Sequence, residues 1–247
     1  MPFTLAHPIA IAPIWYAYRR HLDLASLCIG AMMPDLDLFI PLIPEGGHRL
    51  WGVFTIDLPC AILFLLIIRW VIAKPFIALL PPYLGSCLPQ PRMPPIPAAI
   101  VSIVIGSLTH IIWDAFTHHG GWFVIRYDFL RVSTGRWPLY ELLQHGCGIG
   151  GLIAMALWIA WGFGQAQPQQ RPATLPLIYR FGIIAVIVIV TIMATLLDIR
   201  AGIKIGQPRE SLAVRGVVGA ITGIGGGFLV YAIGFWLHRL SVKNYWG

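Results

Sequence analysis

Several runs of about twenty apolar residues, nearly free of charge, constrain this chain before any motif is considered. Within the hydrocarbon core of a bilayer every backbone N–H and C=O must be paired inside the segment, so such runs cross it as helices. Gly52–Ala73, Ile178–Leu197 and Val214–Leu237 meet that requirement, and Ala98–Phe116 and Gly148–Phe163 meet it over shorter or less uniform stretches. Only 11% of the 247 residues are charged and 57% are hydrophobic, whereas a soluble domain is about one quarter charged. Too little polar surface remains to cover a soluble core. The expected fold class is all-α, a polytopic membrane helix bundle of about five to six spanning or re-entrant helices.

The segments between the runs are equally telling. Leu22–Ile43 is apolar but carries Asp23, Asp35 and Asp37 and is interrupted by proline; it reads as a helix over roughly Leu22–Met33 and then an irregular acidic turn. Pro81–Pro97 is proline-rich and reads as an extended connector. Gln165–Arg171 is a polar linker, and Gly120–Gly146 is the longest non-spanning insert. The glycines of Gly219–Gly227 (GAITGIGGG) suit close helix packing; no strand precedes them and no P-loop lysine follows. Residues 1–155 and 156–247 are expected to form a membrane-embedded metal-site domain and a C-terminal pair of transmembrane helices.

The net charge of +7 points to anionic lipid head groups rather than nucleic acid, because no basic stripe interleaved with aromatics accompanies it. The basic residues divide ten to seven in favour of the side carrying the candidate site, a lean towards a cytoplasmic site, but arginines of the site itself inflate that count and the orientation stays open. Cys28, Cys60, Cys87 and Cys147 are scattered and form no C-x-x-C pair, so neither thiolate zinc nor a disulfide framework is expected. No basic segment precedes the first apolar stretch, which therefore does not read as a cleavable signal peptide.

Against this apolar background, His110, Asp114 and His118 recur at i, i+4 and i+8 in IGSLTHIIWDAFTHHG. Helical spacing stacks two imidazoles and a carboxylate on one face. Ionisable groups at membrane depth are costly and tend to be functional, and this donor mixture suits a zinc-like divalent ion. His7, Asp35, Asp37 and His48 add further nitrogen and oxygen donors. Counting spans places His48, His118 and Gln144–His145 on one side of the membrane. The alternative is a hydrogen-bonded structural face without an ion. His21 and His238, each beside an arginine, read as interfacial residues; His119 points away from the metal face, and His145 is a further candidate ligand or proton shuttle.

In order, MPFTLAHPIA, GAMMPDLDLF, GHRLWG, LTHIIWDAFTHHG and PLYELLQHG resemble a bacterial membrane family catalogued as a domain of unknown function (number 4184), over roughly the first 155 residues. The order H…PD-x-D…H…H-x-x-x-D-x-x-x-H is distantly similar to the SOS-regulated membrane-bound metal-dependent hydrolases. It is also similar to the zinc-dependent phospholipase C and P1 nuclease superfamily, all-helical enzymes that hold zinc with His and Asp. The likeness implies metal ligands at His110 and Asp114, on the H-x-x-x-D helix, at Asp35 and at His48, with His7 and His118 fitting less closely. The later H-x-x-x-E helix of those enzymes has no counterpart here, Glu141 preceding His145 in the reverse order. That departure favours one or two ions over three.

The expectation is a metal-dependent hydrolase in the bacterial cytoplasmic (inner) membrane, acting on a phosphoester of a lipid or lipid-linked substrate with a divalent metal, zinc by donor type. Asp35 or Asp37 would act as ligand or catalytic base, and Arg126, Arg131 and Arg136 of the insert would bind substrate phosphate. The competing expectation is a non-enzymatic transporter or scaffold using the same cluster as an ion pathway or a structural clip. No inverted repeat supports a transporter, and no G-x-S-x-G elbow supports a serine hydrolase.

Overall fold

The computed structural model describes residues 4–40, 42–168 and 174–243, the side chains of 209, 210 and 240–243 excepted. The described residues are mostly helical, and the strands among them form one short antiparallel hairpin pairing Ser133–Thr134 with Trp137–Pro138. Five helices are long and apolar enough to cross a membrane: Val53–Leu79, Ile96–Arg126, Leu139–Gln165, Leu177–Lys204 and Ser211–Arg239. The chain is thus an all-α integral membrane protein.

Two compact units can be distinguished, one built from Phe3–Leu65 and Pro94–Gly162, the other from Leu66–Met93 and Phe163–Gly247. In the first, Thr4–Ile11 forms a 3-10 helix, and the short helix Leu24–Gly30 crosses the long helix Ile96–Thr117 at very close range. A Cβ on Gly30 would lie 2.2 Å from the Ile103 carbonyl oxygen, and one on Gly106 would lie 2.3 Å from that of Leu27. Glycine at both positions is what lets the two backbones meet. The crossing is fastened by Ser107 Oγ, which donates to the Gly30 carbonyl at 3.1 Å, and by the Asp23 N–H, which donates to Ser102 Oγ at 2.9 Å.

In the second unit, Leu177–Lys204 packs along Arg209–Lys243. Gly219, Gly223 and Gly227 face it: a Cβ on each would meet Thr195 Cα at 2.9 Å, Thr191 Cα at 2.7 Å and Ile187 Cα at 3.4 Å. This is the small-residue contact expected from the glycine run. Arg215 pairs with Asp198 at 2.8 Å. Pro75 has no N–H to donate within its helix, and the Val71 carbonyl instead accepts the Trp236 indole N–H at 2.9 Å. Both prolines inside Val53–Leu79, Pro59 and Pro75, follow π-helical stretches, Val53–Asp57 and Ile67–Ile72. A π turn absorbs the register that proline disrupts.

Three local expectations need correction. The helix expected over Leu22–Met33 is shorter, Leu24–Gly30, because Asp23 caps it, its Oδ1 accepting the Ser26 N–H at 2.8 Å. The acidic turn after it is not irregular: Met33–Asp35 is a 3-10 turn and Leu36–Phe39 a short α-helix. The connector Pro81–Pro97 includes a helix, Pro82–Cys87, since proline is well tolerated in the first helical turn; only 88–95 runs without a helix. Positions 169–171 of the Gln165–Arg171 linker lie outside the described residues.

Candidate metal centre

The close crossing of Leu24–Gly30 over Ile96–Thr117 sets the chemistry of His110. It brings the Ala31 carbonyl to 2.8 Å from His110 Nδ1, with the ring fully buried. A carbonyl can only accept, so Nδ1 carries the proton and Nε2 offers a lone pair. His110 Nε2 is buried without a hydrogen-bond partner. It faces Asp114 Oδ2 at 3.2 Å and Asp35 Oδ1 at 3.6 Å. Asp35 comes from the 3-10 turn and is itself fully buried; its Oδ2 accepts from Thr4 Oγ1 at 2.5 Å, which leaves Oδ1 without a hydrogen bond. His48, on the loop before the first span, completes the group: its Nε2 stands 3.2 Å from Asp35 Oδ1 and 3.3 Å from Asp114 Oδ2.

The donor atoms of Asp35, His48, His110 and Asp114 all lie within 4.8 Å of one another. An ion about 2.0–2.1 Å from four tetrahedral ligands sets those ligands roughly 3.3–3.4 Å apart. The four N···O separations, from 3.2 to 3.6 Å, bracket that edge length. Two carboxylates and two neutral imidazoles also cancel the charge of one divalent ion, which limits the cost of a charged cluster in a poorly solvated place. The orphaned His110 Nε2 and Asp35 Oδ1 are the atoms such an ion would satisfy. The group can hold a metal ion.

The electrostatics of the four side chains agree. Burial by itself would raise the Asp35 carboxyl, but the His110 and His48 imidazoles facing its Oδ1 and the Thr4 hydroxyl on its Oδ2 outweigh it and hold Asp35 below the usual carboxylate range. Burial opposes charge on His48 too, yet the Asp114 and Asp35 carboxylates push it up to about 9. A proton on His48 therefore stands in for part of the positive charge that an ion would supply. His48 is also the open side of the group, its side chain 41% exposed.

His7 and His118 lie beside the four-residue group rather than in it. His7 stacks on His110, ring centroids 3.8 Å apart, and its Nε2 is 3.6 Å from Asp114 Oδ1. Burial, then the neighbouring His110, lowers His7 to about 4, so this approach is not an ion pair at neutral pH. His118 does not continue the helical face, since the helix ends at Thr117 and His118 is its extended C-cap. Its ring turns back so that Nδ1 is 3.4 Å from Asp114 Oδ1, while Gln144 Nε2 donates to its Nε2 at 3.0 Å. Each oxygen of Asp114 thus meets two imidazoles, Oδ2 those of His48 and His110, Oδ1 those of His7 and His118.

Asp37 is half-buried on Leu36–Phe39, with Oδ1 lacking a hydrogen-bond partner. Arg126, Arg131 and Arg136 are exposed and turned to local features: Arg126 lies over the Trp122 ring, Arg131 pairs with Asp128, and Arg136 sits in the hairpin turn. His145 packs on Trp137 and His119 on Tyr140.

Sequence reasoning gave no role to Thr4, to the Ala31 carbonyl or to Asp57. Asp57 is fully buried with both carboxylate oxygens unpartnered, and a Cβ on Gly47 would stand 2.9 Å from its Oδ1. Glycine before His48 is what lets the ligand loop lie against this carboxylate. An acid in the first turn of an apolar run was the available signal for Asp57; a lone threonine and a backbone carbonyl carry none.

Residues 1–233 match the model of a family described as Domain of unknown function (DUF4184). No curated protein and no solved structure matches the chain.

Proposed function

The chain belongs to a family, Domain of unknown function (DUF4184), whose description carries no activity, and we propose from its site that it is a membrane-embedded, metal-dependent hydrolase. The substrate is a phosphoester of a lipid or lipid-linked molecule, and the setting is a bacterial cytoplasmic membrane. The observation that carries the reading is the closure of Asp35, His48, His110 and Asp114 on one point, with N···O separations of 3.2–3.6 Å. Two imidazoles and two carboxylates in a four-ligand shell favour zinc, with manganese the next candidate. When bound, such an ion supplies Lewis acidity, making water nucleophilic near neutral pH and neutralising charge on a phosphoryl oxygen.

The chain's own residues take the other roles. Thr4 holds Asp35, the Ala31 carbonyl fixes the His110 tautomer, and His7 and His118 flank the second oxygen of Asp114. Asp37, with an oxygen free of hydrogen bonds, is the candidate to take the proton of the attacking water. His48 borders the exposed side from which a head group can reach the centre. Arg126, Arg131 and Arg136 meet substrate phosphate at the membrane surface.

One observation favours a second reading. The four ligands come from three separate segments, the 3-10 turn, the His48 loop and the long helix, so an ion there would also clip the fold together without chemistry. Detergent-solubilised protein loaded with zinc or manganese, assayed on aryl phosphodiesters and phospholipids, separates the two. The hydrolase reading expects metal-dependent turnover that Asp37→Asn reduces by at least tenfold while metal content stays constant. Stoichiometric metal with no turnover on any phosphoester would leave the structural clip.

A further inference from the structure

On the face where His48 is exposed, the first unit carries large apolar side chains outside its core. Trp51, Trp122, Phe129 and Trp137 are between 42% and 59% exposed. They belong to three different segments: the loop before Val53–Leu79, the end of Ile96–Arg126, and the insert leading into Leu139–Gln165. Two crossings separate the start of the first helix from the end of the second, so all three segments lie at the same membrane boundary. Aromatic rings with one apolar and one polar end favour that boundary.

Two of the rings carry guanidinium groups. Arg49 lies 5.9 Å from the centroid of Trp51, and Arg126 lies 5.6 Å from that of Trp122. The pairing is repeated at two helix ends, and in each pair both side chains are exposed. Arg136 is exposed at the hairpin turn, and Arg131 is exposed but shares its charge with Asp128. The surface therefore combines positive charge with exposed apolar rings, the pattern that fits a phosphate-bearing head group and its acyl chain.

We propose that these tryptophan–arginine pairs and the insert Trp122–Trp137 form an interfacial collar that binds anionic phospholipid head groups of the leaflet on the His48 side. Phe129 and Trp137 sink into the head-group and acyl boundary, while Arg49, Arg126 and Arg136 hold lipid phosphates. The collar keeps the mouth of the metal centre at head-group depth. The inference does not depend on the hydrolase reading, since it requires neither a bound ion nor turnover.

The test uses the full chain in phosphatidylcholine nanodiscs, treated with chelator so that any metal is removed. Spin-labelled phosphatidylglycerol or phosphatidylcholine reports the motionally restricted lipid fraction. The collar predicts a preference for phosphatidylglycerol of up to about fivefold per engaged arginine at low salt, weakened in about 0.5 M salt. The triple variant R49Q/R126Q/R136Q should bring the two lipids close to parity. Inorganic phosphate at constant ionic strength should leave the preference intact; displacement would assign the arginines to free phosphate and overturn the proposal. A nitroxide at Phe129→Cys, with the native cysteines replaced by alanine, should be more accessible to oxygen than to a water-soluble nickel chelate. No preference in the wild type, a preference unchanged in the triple variant, or a water-accessible Phe129→Cys label would each refute the collar.

Discussion

Gly106→Ala tests how the fold makes the ligand. The added Cβ would sit 2.3 Å from the Leu27 carbonyl oxygen and 2.7 Å from the Ala31 nitrogen. Both are backbone atoms, so no side chain can swing away, and ordinary contact demands that the helices separate by roughly 1 Å. That shift would stretch the 2.8 Å contact from His110 Nδ1 to the Ala31 carbonyl to about 3.8 Å, beyond hydrogen-bond range. Overpacking costs about 1–3 kcal/mol of stability, and losing the partner that orients a metal-binding imidazole costs about 10–100-fold in affinity. Competition with a chromophoric chelator measures the affinity, and a thermal melt in detergent measures the stability. Gly150→Ala is the control: nothing lies within 4 Å of a Cβ there, and alanine favours a helix. If Gly106→Ala binds metal as tightly as Gly150→Ala, the link from backbone crossing to imidazole tautomer is wrong.

Further outcomes follow from the same geometry. His48 is pushed up to about 9 without metal, so below that pH an ion must displace its proton. Metal affinity should rise with pH by up to about tenfold per unit towards pH 9 and then level off; an affinity flat between pH 6 and 8, after correction for the chelator, would contradict this. Thr4→Ala removes the donor to Asp35 Oδ2 and should weaken metal binding by about tenfold or more, read by the same competition, whereas unchanged affinity would show that Asp35 needs no brace. Trp236→Phe leaves the Val71 carbonyl, opened by Pro75, without its indole donor; the loss should be about 1–3 kcal/mol, and an unaltered melt would show that another group satisfies that carbonyl.

Much of this was legible in the residues. The five spanning helices follow from apolar length alone, and the packing glycines of Gly219–Gly227 from their spacing. Asp35, His48, His110 and Asp114 stood out because ionisable groups are rare in so apolar a chain, and the structure brings those four together. What escaped was the part set by tertiary contact. His118 was expected to share a helical face with Asp114, but the helix ends one residue earlier and the ring returns from the cap. The helix Leu139–Gln165 begins well before the apolar run at Gly148, because its first turns carry polar residues, among them Gln144 at the centre. The close crossing at Gly30 and Gly106 depends on which helices meet, and no local pattern states that.

The most direct test is the metal content of detergent-purified protein, wild type beside His110→Ala and Asp114→Asn, with folding checked by circular dichroism and size-exclusion chromatography. About one tightly held divalent ion per chain in the wild type, lost in both helical variants, is the predicted result. Folded wild type free of any divalent ion after exposure to zinc and manganese, or variants that keep the ion, would contradict it.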